Sequence, residues 1–399
     1  MRIATANAYD HGIDVLARRQ SELNALQDQI TTGKRVSRAS DDPAAAARAE
    51  QAMASIGRSD TSQRAVDASR VLMTQTESTL GDADALLQRA RELMVSAGNA
   101  SFGDGERQGI AVELQALRDQ LLSLANSGDG AGTYLFAGQG STQKPFVDTA
   151  GGVRYFAGDG EMRAEGPAGL PLTTDGETTW LQARTGNGVF VTSPAAGVLN
   201  ASIDNGQVVD PSALTGADYA LQFTVSAGST TYAVLKNGLP TAVVAAPYVS
   251  GQAITVDGMS VSVSGTPATG DAFQIVPSTP TLGVFDTLDQ AIAGLRTPGR
   301  TGAQISQANG DALRDLDAVL ANFGTARAAA GAVLNRLDSE SDRLDAQKLA
   351  AKTERRNAED VDMVHAISDF QEKQSGYDAA LKSYAMVQSL SLFQYVNGG

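Results

Sequence analysis

The residue types that most often carry chemistry are scarce in this chain of 399 residues. It has two histidines, His11 and His365, and no cysteine. A general base or a metal ligand needs a second partner nearby, and the two histidines stand near opposite ends of the chain. We therefore interpret each of them as a solvated or packed helix residue. The absence of cysteine excludes disulfides, thiolate metal sites and a cysteine nucleophile.

Two short motifs come near to known ligand-binding patterns without matching them. Residues 32–35 resemble part of a phosphate-binding loop, but Asp28 stands where the upstream glycine belongs and Arg35 replaces the magnesium-binding hydroxyl. The glycine-rich segment 128–132 follows a predicted helix, whereas a dinucleotide site needs such a turn between a strand and a helix. The sequence therefore predicts no catalytic, cofactor-binding or metal-binding residues, and hence no enzyme.

Two adjacent carboxylates, Asp41 and Asp42, lie between Ser40 and Pro43. We interpret these four residues as a helix-capping motif and not as an acid pair. A carboxylate at a helix start accepts hydrogen bonds from unpaired backbone N–H groups, and proline fits the first turn because its missing N–H does no harm there. The motif predicts a long helix over residues 44–97. A second helical pattern runs from Gly324 almost to Val396.

Charge and hydropathy narrow the classes of partner and the location. The formal net charge of -14 disfavours binding to nucleic acid or to anionic lipid. No apolar run reaches the roughly 20 residues that span a bilayer, which predicts no membrane insertion. The N-terminal ten residues lack the apolar segment of a cleavable secretory signal. These features fit a cytosolic protein and also one exported without signal cleavage.

Apolar residues at heptad spacing mark both ends of the chain. Such spacing places a narrow apolar row, here called a terminal stripe, on one face of a helix. We predict that the two terminal stripes form an assembly interface, with these members: Tyr9, Leu16, Leu23, Leu26, Ile30, Ile367, Phe370, Tyr377, Leu381, Tyr384, Phe393 and Tyr395. Their partner is the other end of the same chain, a neighbouring subunit, or both. An ordinary intramolecular bundle is the alternative.

The middle of the chain differs in composition and period. Residues 147–280 carry 4 basic and 11 acidic residues, whereas residues 1–146 carry 15 and 18. Two alternating segments, 253–256 and 260–263, flank Asp257 and Gly258, whose types are typical of a tight hairpin turn. This contrast predicts an inserted β domain between densely charged helical flanks.

The predicted fold class is α+β and multidomain. A long α-helical coiled-coil rod is formed by both termini, and an all-β domain is inserted into it. We expect a terminal helical assembly region (residues 1–40 with 360–399), a helical rod domain (41–146 with 281–359) and the β domain (147–280).

Several segments of both flanks resemble a known family. Residues 29–36 and 40–44 resemble the N-terminal signature shared by flagellins and hook-associated protein 3. Four further segments, 331–337, 359–362, 377–381 and 391–396, are similar to the matching C-terminal signature. The segments 132–138 and 155–159, and the end of the chain after Tyr395, resemble hook-associated protein 3 more than flagellin.

The resemblance implies a non-enzymatic structural subunit of the bacterial flagellum that joins hook and filament. It implies export through the flagellar type III channel without signal cleavage, a cytosolic export chaperone, and an extracellular location. It also implies self-association in a helical ring between the first hook-associated protein and flagellin or the filament cap. Filament flagellin is the alternative within the family. A secreted enzyme or adhesin on a coiled-coil stalk is the alternative from another class.

Overall fold

The computed structural model of the chain describes residues 2–140, 142–164 and 169–396, with side chains between residues 10 and 387 of these ranges. Contacts separate the chain into two compact units. The terminal unit comprises residues 1–64 with 340–399, and the central unit comprises residues 65–339. The threefold division with boundaries at residues 40, 146, 280 and 359 stays a prediction.

The helical elements follow the predicted pattern with one interruption. They are α1 (Arg2–Thr32), α2 (Pro43–Ala97), α3 (Asp104–Ala125), α4 (Gly176–Trp180), α5 (Val284–Arg296), α6 (Gly302–Glu359) and α7 (Met363–Val396). The helix predicted over residues 44–97 is confirmed, since α2 begins one residue earlier and ends at Ala97. None of the helices in the described ranges combines the length and the apolar composition that crossing a lipid bilayer requires.

The expectation of one helix from Gly324 almost to Val396 was wrong, because the helix breaks at residues 360–362. Two extended segments of the terminal unit pair there. The Arg35 N–H donates to the Glu359 carbonyl at 2.7 Å, and the Val361 N–H donates to the Gly33 carbonyl at 3.0 Å. These non-local hydrogen bonds replace the helical bonds that the sequence pattern alone would favour.

The strands all belong to the central unit and pair antiparallel. They are β1 (Phe146–Thr149), β2 (Gly152–Tyr155), β3 (Ala183–Arg184), β4 (Phe190–Pro194), β5 (Ala201–Ile203), β6 (Gln207–Val208), β7 (Tyr219–Ser226), β8 (Ser229–Lys236), β9 (Leu239–Pro240), β10 (Ala246–Pro247), β11 (Ala253–Val256), β12 (Met259–Gly265), β13 (Ala272–Pro277) and β14 (Pro280–Leu282). The larger sheet has the order β10-β8-β7-β13-β4, with β9 paired to β8. The second has the order β11-β12-β5, with β6 paired to β12.

The predicted hairpin is confirmed at β11 and β12. Asp257 and Gly258 connect the two strands with φ values of 39° and 81°. A two-residue turn with positive φ at both positions matches the twist of the strands that it joins. Asp257 adopts the left-handed conformation although it has a side chain, and its carboxylate accepts a hydrogen bond from Lys236 Nζ at 2.6 Å.

One buried polar network joins the β strands to α6 within the central unit. Gln307 accepts a hydrogen bond from the Ile203 N–H at 2.7 Å and donates to both oxygens of Asp311 at 3.1 Å. Arg314 donates to the Thr192 carbonyl at 3.2 Å and to the Asp311 carboxylate at 2.9 Å. Because buried polar groups are costly without partners, this network fixes where the sheets lie on α6.

Candidate assembly interface

The terminal stripes lie on α1 and α7, which pack antiparallel in the terminal unit. The Tyr377 hydroxyl donates to Gln20 Oε1 at 2.6 Å, and Tyr384 reaches α1 at Gly12. A Cβ atom at Gly12 would lie 3.1 Å from the Tyr384 ring, which is closer than ordinary side-chain contact. Glycine at this position therefore lets the aromatic ring approach the backbone of α1.

Charged side chains extend the same pairing. Lys373 Nζ lies 2.8 Å from Glu22 Oε2, and this hydrogen bond lowers the pKa of the Glu22 carboxyl. Arg19 Nη1 donates to the Gly376 carbonyl at 2.6 Å. The charged groups are largely exposed, so their pairing contributes little to the stability of the helix pair. Its main effect is to fix the register of α7 along α1.

The predicted interface residues are only partly covered within the chain. Six aromatic and aliphatic members are half-buried between α1 and α7 or beside them: Leu16, Leu23, Leu26, Phe370, Tyr377 and Tyr384. Ile30 is half-buried as well. Ile367 and Leu381 are exposed by 44% and 40% of their surface. The side chains of Tyr9, Phe393 and Tyr395 lie outside those that the structure describes.

Further apolar side chains, which were not among the predicted interface residues, extend the exposed surface of α7. Met363, Val364 and Val387 are exposed by 42%, 79% and 58%. Ile367 and Leu381 are fourteen residues apart, so they lie on nearly the same side of α7. Met363 stands on the same heptad row as Phe370, seven residues later, whereas Val364 lies beside the rows and could be found only by a search for apolar residues that flank them.

The two carboxylates of the capping motif have different roles: one caps α2, and the other stabilises the turn that precedes it. Asp42 accepts a hydrogen bond from the Ala45 N–H at 3.0 Å at the start of α2. This bond is the main reason why the pKa of the Asp42 carboxyl is lowered, and the hydrogen bond from Arg35 is the second. Asp41 instead accepts from the backbone N–H groups of Ser37 and Arg38, at 3.1 and 2.8 Å. Two neighbouring residues of the motif contribute less: the Ser40 hydroxyl donates to Asp41 at 3.4 Å, and Pro43 is the first residue of α2.

Histidine and carboxylate side chains are the groups of this chain that could bind a metal ion. The side chains of His11 and His365 are both exposed. The described part of the chain holds no group of three histidine, aspartate or glutamate side chains placed to bind a metal ion.

Three family profiles match separate segments of the chain. The bacterial flagellin N-terminal helical region matches residues 3–141, and the bacterial flagellin C-terminal helical region matches residues 313–396. The D2-like domain of flagellar hook-associated protein 1 matches residues 195–277. This range contains strands β5 to β13 and lies outside both helical flanks. The matches cover the predicted helical ends and the predicted β insert separately.

The individual relatives are of two kinds, hook-associated protein 3 and flagellin, and they match different shares of the chain. Flagellar hook-associated protein 3 of Salmonella typhimurium is 28% identical over 99% of both chains. Flagellin of Bacillus subtilis is 34% identical, but over only 35% of this chain and 45% of its own. The crystal structure of Xanthomonas campestris FlgL is 30% identical, with a TM-score of 0.68 over 76% of this chain and 98% of that chain. The flagellar junction protein FlgL of Legionella pneumophila is 26% identical, with a TM-score of 0.69 over 78% and 100%.

Helical ends of the flagellin type, with an antiparallel β insert between them in the sequence, define a flagellin-like structural protein of the bacterial flagellum. Similarity over 99% of the chain, which includes the β insert, separates it from flagellin, whose match covers only 35% of the chain. The chain belongs to the family of flagellar hook-associated protein 3. It is a component of an extracellular appendage and not an enzyme.

Proposed function

We propose that this chain is a structural subunit of the junction between hook and filament, and that the exposed side of α7 is a surface through which it assembles. The observation that supports this most directly is the row of apolar side chains left exposed on α7. Ile367, Leu381 and Val364 expose 44%, 40% and 79% of their surface. An apolar surface of this kind on an isolated chain is typical of a protein–protein interface.

Burial of that row would contribute substantially to association. Full burial of one large aliphatic side chain stabilises by about 1.5–3 kcal/mol. Ile367 and Leu381 are already partly covered, so each would contribute less than this. Several such residues together still provide enough free energy to offset part of the entropy lost when subunits associate.

The proposed partners follow from family membership and from this surface. Copies of the chain associate in a helical ring, with the first hook-associated protein on the hook side and flagellin or the filament cap on the other. Before export, a cytosolic flagellar chaperone covers the C-terminal helix, and the chain then leaves the cell without signal cleavage. The observation behind the chaperone is the same exposed row, which would otherwise promote aggregation in the cytosol.

The experiment compares two double variants of α7. Ile367→Asp with Leu381→Asp adds two carboxylates to the exposed apolar row. Ala379→Asp with Ser383→Asp adds the same charge at two exposed residues on the side of the helix that faces away from Ile367 and Leu381. We expect the first variant to fold but to leave cells without filaments, because an unpaired carboxylate buried between subunits costs several kcal/mol. This control variant should support normal filaments.

Filaments of normal number and length in cells that make the Ile367/Leu381 variant would rule out this side of α7 as an assembly surface. Immunogold labelling of the unmodified protein tests the junction separately. A discrete band between hook and filament is expected, whereas a continuous coat along the filament would indicate flagellin.

A further inference from the structure

Asparagine is a chemically labile residue, and a glycine after it leaves the next backbone nitrogen without a side chain to shield it. That nitrogen can then attack the asparagine amide carbon of the same chain. In the described residues such pairs begin at Asn187, Asn205, Asn237 and Asn309. The first three lie in turns between β strands, and the fourth lies inside α6. None of them belongs to the proposed assembly surface, so their surroundings can be compared for a separate chemistry.

The turn between β5 and β6 places a base beside the nucleophile of one pair. The Gly206 N–H donates a hydrogen bond to Asp204 Oδ1 at 3.1 Å. The Ser262 N–H donates to the same oxygen at 2.9 Å, so the carboxylate is held in place from strand β12. A general base must lie within hydrogen-bond reach of the proton that it removes. Asp204 meets this requirement for the Gly206 nitrogen.

A second asparagine contacts the peptide group that would lose this proton. Asn187 Nδ2 donates to the Asn205 carbonyl oxygen at 3.3 Å and to the Gly206 carbonyl oxygen at 3.3 Å. The Asn205 carbonyl and the Gly206 nitrogen share one resonant peptide group, so negative charge that develops on the nitrogen spreads to that oxygen. A donor already placed at the oxygen stabilises this charge. Asn187 therefore makes the Gly206 N–H easier to deprotonate.

The amide of Asn205 itself is free to rotate toward the glycine. Its side chain is half-buried and makes no hydrogen bond with the described residues. Gly206 has a φ of 61°, and a Cβ atom there would lie 2.7 Å from the Phe190 ring. Glycine is the residue that fits such a position. The turn therefore requires the unshielded nitrogen that makes the pair reactive.

The pair at Asn187 is held by hydrogen bonds at both reacting groups. Its Oδ1 accepts from the backbone N–H groups of Val189 and Phe190, at 3.1 and 3.0 Å. The Gly188 N–H donates to the Thr185 carbonyl at 3.3 Å. Rotation of the Asn187 amide would break two hydrogen bonds, and a backbone carbonyl is a far weaker base than a carboxylate. This pair should therefore react slowly.

The pairs at Asn237 and Asn309 lack a base. Asn237 Oδ1 accepts from the Asp218 N–H at 3.0 Å, which fixes the amide, and the Gly238 N–H has no carboxylate acceptor among the described residues. Asn309 lies inside α6, whose helical hydrogen bonds use the backbone N–H groups. Of the four pairs, the one at Asn205 combines a positioned base, a donor at the peptide oxygen and an amide that can rotate.

We propose that the turn at residues 204–206 hydrolyses its own Asn205 amide. The Gly206 nitrogen forms a bond to Asn205 Cγ while Asp204 accepts the N–H proton. The carboxyl then delivers this proton to the departing amide nitrogen, and the Cγ–Nδ2 bond breaks to release ammonia. Water opens the resulting cyclic imide to aspartate or to isoaspartate, so water is the only co-reactant. Either product places a new carboxylate beside Asp204, within residues 147–280, where 11 acidic residues already outnumber 4 basic ones.

The test measures the conversion rate of each asparagine in the full chain. The protein is incubated at mildly alkaline pH, folded or unfolded in guanidinium, and peptides are analysed by mass spectrometry at intervals. In the folded chain we expect Asn205 to convert about tenfold or more faster than Asn187 and Asn237, because a positioned base contributes at least that factor. In guanidinium all four pairs lose their fixed partners, so their rates should become similar.

Two substitutions remove the assisting groups one at a time. Asp204→Asn keeps the acceptor oxygen but removes the base, and conversion at Asn205 should slow by about tenfold or more. Asn187→Asp keeps the oxygen that accepts from β4 and removes the donor, so conversion at Asn205 should also slow. The matched control is Asp218→Asn, which removes a carboxylate from the turn that contacts Asn237 and should leave the rate at Asn205 unchanged.

Three results would overturn the proposal. The first is a folded chain in which Asn187 or Asn237 converts as fast as Asn205, or in which Asn205 does not convert. The second is an unchanged rate at Asn205 in Asp204→Asn, and the third is an equal loss in Asp218→Asn. If the Asp204 variant fails to fold, the comparison of the four asparagines in the unmodified folded chain decides.

Discussion

Both units of this protein contain packed aromatic side chains, but the exposed fraction of these side chains differs greatly between the units. In the central unit, Trp180 stacks on Phe285 at 6.0 Å between ring centroids and meets Phe323 edge-on at 4.9 Å. These three rings expose 1% of their surface or less. In the terminal unit, Phe370 and Tyr377 of α7 are only half-buried. The central unit completes its core within one chain, and the terminal unit does not.

The difference follows from the number of layers that each unit supplies. Around Trp180, the central unit brings together α5, α6 and the segment that leads into β1, so a ring meets neighbours on every side. Along most of their length, α1 and α7 have mainly each other, and a pair of helices can bury only one side of each member. The terminal unit is therefore suited to exchange its contacts for those of a neighbour, whereas the central unit is suited to hold its shape.

The largest expected effect comes from shortening one central ring. Phe285→Ala should lower the free energy of unfolding of the central unit by about 3–5 kcal/mol, because the cavity adds to the lost burial. Trp180 is the single tryptophan of the chain, so its fluorescence reports the unfolding of this unit alone. Phe156→Ala, at a ring exposed by 62%, is the control and should leave the tryptophan transition almost unchanged. Similar shifts in both variants would contradict a closed central core.

The second effect tests the polar network between the sheets and α6. Arg314→Met should cost about 3–5 kcal/mol, because Asp311 and Asp315 lose their buried cation. Burial already raises the pKa of Asp311, so its folded form binds a proton more readily than its unfolded form. Stability in the variant should therefore increase as pH falls from neutral through that raised pKa.

Chemical unfolding followed at Trp180 over a series of pH values provides the measurement for Arg314→Met. Arg296→Met, at an exposed arginine, is the control and should show neither the loss nor the added pH dependence. A variant that loses stability equally at every pH would argue that Arg314 acts through packing and not through charge.

A smaller effect is expected from the same truncation in the terminal unit. Phe370→Ala should cost about 1 kcal/mol in the isolated chain, since a half-buried ring gains roughly half the free energy of full burial. Amide exchange should increase in α7 while the tryptophan transition stays in place. A loss as large as that of Phe285→Ala would show that α7 is already fully packed without a neighbour.

The smallest effect distinguishes the two carboxylates of the capping motif. Asp42→Ala should speed amide exchange at Ala45 at the start of α2, whereas Asp41→Ala should act on the turn at residues 37–38. Hydrogen bonding lowers the pKa of Asp42 in the folded chain. Its contribution is therefore present above the ordinary carboxyl pKa and is lost as pH falls through the lowered value. Equal exchange at Ala45 in both variants would mean that Asp42 is not the cap.

Local signals in the sequence were sufficient for much of the fold. The bounds of α2 follow from Pro43 at one end and from the limit of the apolar pattern at Ala97. The turn at Asp257 and Gly258 follows from residue type, because few other pairs tolerate positive φ at two successive positions. The family follows from short segments in both flanks that need no tertiary information.

Only the tertiary structure decided where distant segments meet. The break at residues 360–362 depends on a segment more than three hundred residues away, and so it has no signal in the helical pattern that crosses it. Asp362 was the one local clue, because its carboxylate accepts from the Val364 N–H at the start of α7. A cavity of the central unit lined by Arg107 and Arg300 and the hydrogen bond between Gln307 and Ile203 also join segments that are distant in the sequence.

Heptad spacing predicted which faces of α1 and α7 are apolar. The spacing is the same, however, for a residue that its own chain covers and for one that stays exposed. Burial depends on the layers that the fold brings to each side of a helix, and that is a property of the whole chain.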